Sequence, residues 1–318
     1  MHRWPGAAGI SDRLDVLLYE DQFRKVAGFL VADEDRPSRE SRLSARGTVV
    51  FVRVPILELP GEVWHLTYAV TALHCLLRFN EDSALSKLRI RVNRRDKSLR
   101  YVDVPAPFAK WHKHETEDVA AIPVISRQPV DIESMGPSDL LQESERHRYR
   151  PGDEVFLSGL FSYHPGNKVI EPILRFGHLS LVPREPVSIR IKSEPEPLAK
   201  CEAFLVEAQT WEGQSGSPVF AYEDNGRPGP LSMKMIGIAH GYTTERLGAG
   251  ATGPYVNAGI TVVVPAYRVW ELLTRGDVVD DQNRRAAEIR NGEPKRIVQA
   301  SGVTDSEDGN PELGRFRG

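Results

Sequence analysis

Glu212-Gly213-Gln214-Ser215-Gly216-Ser217-Pro218-Val219-Phe220 is the stretch whose reading decides the fold. Ser215 stands in a Gly-x-Ser-Gly-x-Pro frame between two apolar runs. Small residues on both sides let the backbone turn tightly and leave the serine hydroxyl accessible. The same turn can aim the backbone N–H groups of Gly213 and Ser215 into one hole, the geometry that stabilises an oxyanion during acyl transfer. Taken alone, the segment reads equally as a Gly/Ser turn between two strands. A serine hydroxyl is a weak nucleophile at neutral pH. It needs an imidazole to take its proton, and the imidazole needs a carboxylate on its other nitrogen. The weight therefore rests on what lies upstream.

Upstream, Tyr68-Ala69-Val70-Thr71-Ala72-Leu73-His74-Cys75 offers a histidine and Thr116-Glu117-Asp118-Val119-Ala120-Ala121-Ile122 an aspartate. The three segments resemble the signatures of the chymotrypsin/trypsin-like serine proteases. Thr-Ala-x-His-Cys matches Thr71 to Cys75, Asp-Val/Ile-Ala matches Asp118 to Ala120, and Gly-x-Ser-Gly-x-Pro matches Gly213 to Pro218. The order His, Asp, Ser belongs to this fold; other triad folds use other orders. The resemblance covers roughly residues 25–275. It implies an all-β protein of two antiparallel six-stranded barrels with a short C-terminal helix. The domain would run over residues 23–275, with barrel one at about 23–124, a polar connector at 125–151 and barrel two at 152–275. Residues 1–22 would form an N-terminal extension and 276–318 a charged, partly disordered tail.

The resemblance also implies roles. Ser215 would be the nucleophile, His74 the general base and then acid, and Asp118 the group that orients the imidazole; Gly213 and Ser215 would form the oxyanion hole. The implied activity is a serine endopeptidase that acts on a protein or peptide substrate through an acyl-enzyme. Gln209 and Thr210 are candidates for the floor of the substrate pocket. Ala239, His240 and Gly241 lie on the strand that would wall it and pair with substrate backbone. No aspartate lies at the floor, so a preference for Lys or Arg is not indicated. A histidine in this strand binds acidic side chains in glutamyl endopeptidases. Here Ala239 takes the aligned position and His240 comes one residue later, on the opposite strand face.

Three residues depart from the family pattern. Gln214 precedes the serine where digestive and clotting enzymes carry an aspartate that pairs with a newly cut N-terminus. Ser217 replaces a glycine, and Leu73 replaces a small residue beside the histidine. The first two features look more like the bacterial HtrA-type and glutamyl-endopeptidase-like branches, though no PDZ-like module follows.

Composition narrows the remaining classes. A net charge of −3 over 318 residues points to neither nucleic acid nor a membrane surface. Leu88-Arg89-Ile90-Arg91-Val92 alternates apolar and basic residues and reads as a half-buried strand with a solvated face. His112 and His114 have a metal-like spacing but no accompanying Cys/His cluster, so no metal and no cofactor are expected. The N-terminus lacks an apolar signal segment and the only cysteines are Cys75 and Cys201. A cytoplasmic chain with two free thiols is the expectation. Pro265 to Leu273 has helix spacing after a proline and matches the family's closing helix. A catalytically silent barrel serving as a binding or scaffold module is the competing class. An esterase of another fold would want Gly-x-Ser-x-Gly with the histidine after the serine; the chain has Ser217 in place of that glycine, and its best histidine, His74, comes before the serine.

Overall fold

The computed structural model describes residues 23–34, 42–81, 88–95, 100–126, 128–189, 199–223, 232–246, 253, 255–291 and 298–302. The expected extension at 1–22 and the end of the tail at 303–318 lie outside them. The first half carries β1 (Ala27–Glu34), β2 (Arg42–Leu59), β3 (Glu62–Thr71), α1 (Leu73–Glu81), β4 (Leu88–Arg94), β5 (Tyr101–Pro105), β6 (His112–Lys113), β7 (Ala120–Pro123) and β8 (Val130–Asp131). The second carries β9 (Glu154–Gly159), β10 (Ile173–Leu181), β11 (Val187–Ile189), β12 (Ala199–Cys201), β13 (Phe204–Glu207), β14 (Pro218–Glu223), β15 (Ser232–Arg246) and β16 (Tyr255–Pro265). Helices α2 (Ala266–Leu273) and α3 (Gly276–Arg290) and strand β17 (Val298–Gly302) follow.

The protein is mostly β. The second half closes as a six-stranded barrel in the order β10-β13-β16-β15-β14-β9. The first half corrects the expectation of a second closed barrel. It is an open sheet in the order β5-β4-β1-β2-β3-β7-β6, with β8 added to β4 and β17 to β3. Its two edges, β5 and β6, are not paired with each other. β5 ends at Pro105, and Pro107 follows two residues later, so the chain there lacks ladder donors. The Ala106 carbonyl accepts a hydrogen bond from the Trp111 indole at 3.0 Å instead of from a strand. α3 lies over the gap, and a cleft of about 1100 Å³ remains between it and β5, β6 and β7.

β2 explains how the two halves share a core. Its run Val49-Val50-Phe51-Val52 is apolar at every position because both faces are buried. Val49 and Phe51 point into the interior of the first sheet with Leu30, Ala69, Ile90 and Val104. Val50, Val52 and Val54 point the other way, into a core with Tyr68, Phe156, Phe204 and Phe220 that reaches the barrel and α2. β4 alternates as the sequence reading expects: Leu88, Ile90 and Val92 are buried. Outside, Arg91 makes a two-bonded pair with Asp103 at 2.8 and 2.9 Å and lies over the Tyr101 ring.

The connector is packed rather than a polar link. Leu140 and Leu141 are fully buried in the shared core. Met135 exchanges backbone hydrogen bonds with Phe51 and Arg53 on β2, and Leu141 N–H donates to Met235 on β15. The expected closing helix is α2, which buries Tyr267, Val269, Leu272 and Leu273. Where a charged tail is expected, α3 buries Val278, Gln282 and Ala286 at four-residue spacing. Cys75 and Cys201 are both free thiols. Among the described residues no helix is long and apolar enough to cross a membrane.

Candidate functional site

The loop carrying Ser215 is two consecutive tight turns. Gln214 N–H donates to the Trp211 carbonyl at 3.1 Å, and Ser217 N–H donates to the Gln214 carbonyl at 3.0 Å. The third residue of each turn is a glycine with positive φ: Gly213 at 93° and Gly216 at 86°. That conformation costs a side-chain-bearing residue energy and costs glycine little, which is why the frame needs glycines at these spacings. At Gly216 space forbids anything else as well: a Cβ would lie 2.1 Å from the Thr48 carbonyl oxygen and 2.4 Å from Thr71 Oγ1. Among the described residues neither the Gly213 nor the Ser215 N–H has a hydrogen-bond partner. Two adjacent unpaired backbone donors beside a serine are the donor set an oxyanion would take.

The first sheet holds this loop in place. Thr48, fully buried on β2, donates its N–H to the Ser215 carbonyl at 2.8 Å and its hydroxyl to the Gly213 carbonyl at 2.9 Å. The same hydroxyl accepts the Leu160 N–H at 2.9 Å, and Thr71 Oγ1 donates to the Thr48 carbonyl at 2.7 Å. Thr48 escaped the sequence reading, because a threonine inside a β-branched run reads as a strand former; Thr71 entered it only as the first residue of the histidine motif. Gln214 is buried, and its Oε1 accepts the Trp211 N–H at 2.9 Å. It stiffens the first turn from inside. Ser217 is also fully buried, and its hydroxyl has no hydrogen-bond partner.

Asp118 lies between two histidines at the start of α1. His74, second residue of that helix, donates its backbone N–H to Oδ1 at 2.7 Å, and its ring Nδ1 lies 2.6 Å from Oδ2. The Leu73 N–H reaches the Asp118 carbonyl at 3.3 Å. His240 Nδ1 contacts the same Oδ2. Burial alone would push the Asp118 carboxyl up; the hydrogen bonds from His240 and His74 override it and hold it well below the usual carboxylate range. The helix start adds further positive potential. The two imidazoles meet edge to face with centroids 5.0 Å apart. Behind the carboxylate, the Cys201 thiol is pushed up to about 11 by burial and then by the charges of Glu117 and Asp118.

His74, Asp118 and Ser215 thus come near one another where the sheet meets the barrel, but not in a fully engaged arrangement. The Ser215 hydroxyl donates to the His240 carbonyl at 3.0 Å, and no hydrogen bond joins it to His74. His74 Nε2 faces Cys75 Sγ at 3.7 Å. The turn of His240 toward Asp118 has a local cause. β15 is bulged against β16: Ala239 pairs with Val263 and Gly241 with Val262, leaving His240 as the extra residue. A bulge re-aims a side chain that strict alternation would send elsewhere.

The remaining substrate-pocket candidates separate. Gln209 is exposed, whereas Thr210 is buried with Oγ1 2.9 Å from Thr261 Oγ1 and its carbonyl bound by Asn257 Nδ2 at 2.7 Å. Ala239 is buried and exchanges backbone bonds with Gly216 and Ser217, closing the Ser215 loop onto β15. Gly241 begins the part of β15 that pairs only with β16, leaving its other edge open. Thr261 and Asn257 were not singled out in the sequence, where they read as ordinary strand residues.

Among the described residues His74, Asp118 and His240 are the side chains grouped closely enough to be weighed as metal ligands. Their spacing is that of hydrogen bonds. Two ligands on one tetrahedral zinc stand about 3.3 Å apart, given bonds of about 2.0–2.1 Å, whereas His74 Nδ1 and Asp118 Oδ2 are 2.6 Å apart. His112 and His114 belong to other contacts: His114 Nδ1 accepts the Glu117 N–H at 3.1 Å, and His112 faces Asp277 at 3.7 Å. In comparisons with known proteins, no family model matches the chain, and neither does any curated protein.

Proposed function

We propose that this chain is a serine endopeptidase that cleaves peptide bonds through Ser215, His74 and Asp118. The observation that supports the reading best is the nucleophile loop. Two glycine turns, pinned by Thr48, present a serine beside two unpaired N–H groups and near a half-buried histidine–aspartate pair. In this reading a substrate strand adds to the open edge of β15 at Gly241 and takes over the His240 carbonyl. The Ser215 hydroxyl then turns to His74 Nε2. Oγ attacks the scissile carbonyl carbon while its proton passes to His74, and the resulting oxyanion meets the Gly213 and Ser215 N–H groups. The C–N bond breaks as His74 returns the proton to the leaving amine. Water, deprotonated by His74, then cleaves the ester and restores Ser215. Asp118 stays ionised throughout and keeps the proton on His74 Nδ1. Thr210, Thr261 and Asn257 make the pocket region uncharged, which suits a neutral side chain at the cleavage site.

One observation favours a second reading, a catalytically silent barrel that binds peptides. Ser215 is bonded to a carbonyl and not to His74. A fluorophosphonate probe on the intact protein separates the two. Covalent labelling of wild type that Ser215→Ala abolishes supports the enzyme; peptide binding without labelling supports the silent module. Bonds at an unliganded site often tighten only on substrate binding, so the test is made on reactivity.

A further inference from the structure

His240 makes two contacts that no other described residue of the barrel makes. Its ring Nδ1 reaches Asp118 Oδ2, and its carbonyl accepts the Ser215 hydroxyl at 3.0 Å. His74 and Asp118 belong to the first sheet, whereas Ser215 and His240 belong to the barrel. Among the described residues, His240 is therefore the one that joins the Ser215 hydroxyl, through its carbonyl, to the Asp118 carboxylate of the other half, through its ring. We propose that His240 is a positioning residue of this site, fixing Asp118 against His74 through the oxygen the two imidazoles share. A carboxylate oxygen has about two lone pairs to offer. With Nδ1–H groups on both sides, Oδ2 is fully used, and Oδ1 is held by the His74 backbone N–H at 2.7 Å. The carboxylate plane then has no free rotation, and neither does the His74 ring it orients. The arrangement requires neutral His240 to carry its proton on Nδ1. Its Nε2 is buried and without a hydrogen-bond partner, so nothing competes for the other tautomer.

The kinetic part of this inference rests on the endopeptidase reading; the contact itself does not. Nitrogen-15 spectra of the histidine-labelled full chain test the contact. The expected result is a proton on Nδ1 of both His74 and His240, with His240→Gln removing one such signal and Asp118→Asn perturbing both. A neutral His240 protonated on Nε2 overturns the proposal whether or not the protein turns over peptide. On the kinetic side, His240→Ala should lower kcat about 10–100-fold, the loss of one charge-assisted hydrogen bond, with KM within about threefold. His240→Gln, whose amide donates to the same oxygen, should recover much of the loss at an unchanged melting temperature. A raised KM with wild-type kcat would instead place His240 in the substrate pocket and reject the positioning role. Absent labelling of wild type by the probe would count against the triad alone and leave the spectroscopic result standing.

Discussion

Thr48→Val is the substitution that tests how the nucleophile loop is held. Valine matches threonine in shape, so the change removes one oxygen and leaves packing nearly intact. That oxygen donates to the Gly213 carbonyl and accepts the Leu160 N–H, both at 2.9 Å. Deleting it strands the fully buried Leu160 N–H and the half-buried Gly213 carbonyl. An orphaned buried group costs about 1–3 kcal/mol, so the expected loss is about 2–5 kcal/mol. For a chain of this size that lowers Tm by roughly 4–10 °C. The Thr48 backbone bonds to Ser215 and Thr71 survive, so the loop should stay folded but lose its hold at Gly213. In the proposed endopeptidase Gly213 would carry one of the two oxyanion donors, and a loosened donor should slow fluorophosphonate labelling about tenfold or more. Thr48→Ser keeps the hydroxyl and loses a methyl, which costs about 1 kcal/mol. Melting curves and labelling rates of the two variants decide the matter. If Thr48→Val melts within a degree of wild type, or Thr48→Ser is as damaged as Thr48→Val, the hydroxyl does not hold the loop.

Ser215→Ala should abolish labelling and cut hydrolysis by several orders of magnitude, leaving a residual rate roughly 10³–10⁴ above water; equal hydrolysis by both proteins rejects the nucleophile. Ser217→Ala removes a buried hydroxyl without a partner, so it should leave stability unchanged or raise it by about 1 kcal/mol, read as an equal or higher Tm. Gly216→Ala meets both a positive φ and a backbone oxygen at 2.1 Å and should cost about 3 kcal/mol or more; a wild-type melt would show that the turn is not built as described. The folded-state pKa of Asp118 is depressed by His240 and His74, so its stabilising contribution is present above the unfolded carboxylate value, near 4, and fades as pH falls below it. The Tm gap between wild type and Asp118→Asn should therefore be largest near pH 7 and shrink toward pH 3; a constant gap contradicts the depression.

The residues that could be read in advance were those whose constraint is local. Gly213 and Gly216 announce their turns because only glycine takes those backbone angles cheaply. β4 and α2 announce themselves by period, at two residues and near four. What depends on partners distant in the chain was not legible. Thr48 looks like any strand threonine, and its role exists only because residue 213 comes to rest beside it. The open first sheet follows from Pro105 and Pro107 falling where a closing ladder would have run, and nothing local says which strand those prolines face. His240 shows the same limit most sharply. Strict alternation places it on the face opposite Ala239, and a single extra residue in β15 turns its ring onto Asp118. α3 has only Val278 and Ala286 as apolar markers on its buried stripe, too thin a signal among so many charges.

The staple from Thr48 to the Ser215 loop has a consequence for synthesis. A ribosome releases β1 to β8 of the first sheet, with His74 and Asp118, before the barrel that carries Ser215 has been translated. The barrel in turn can close its ladders alone, but its serine loop takes its shape from a threonine on the other half. Neither half emerging by itself holds a finished site. The nascent chain passes through every partly built state without a shaped Ser215 loop, and the candidate site acquires its geometry only when the two halves dock.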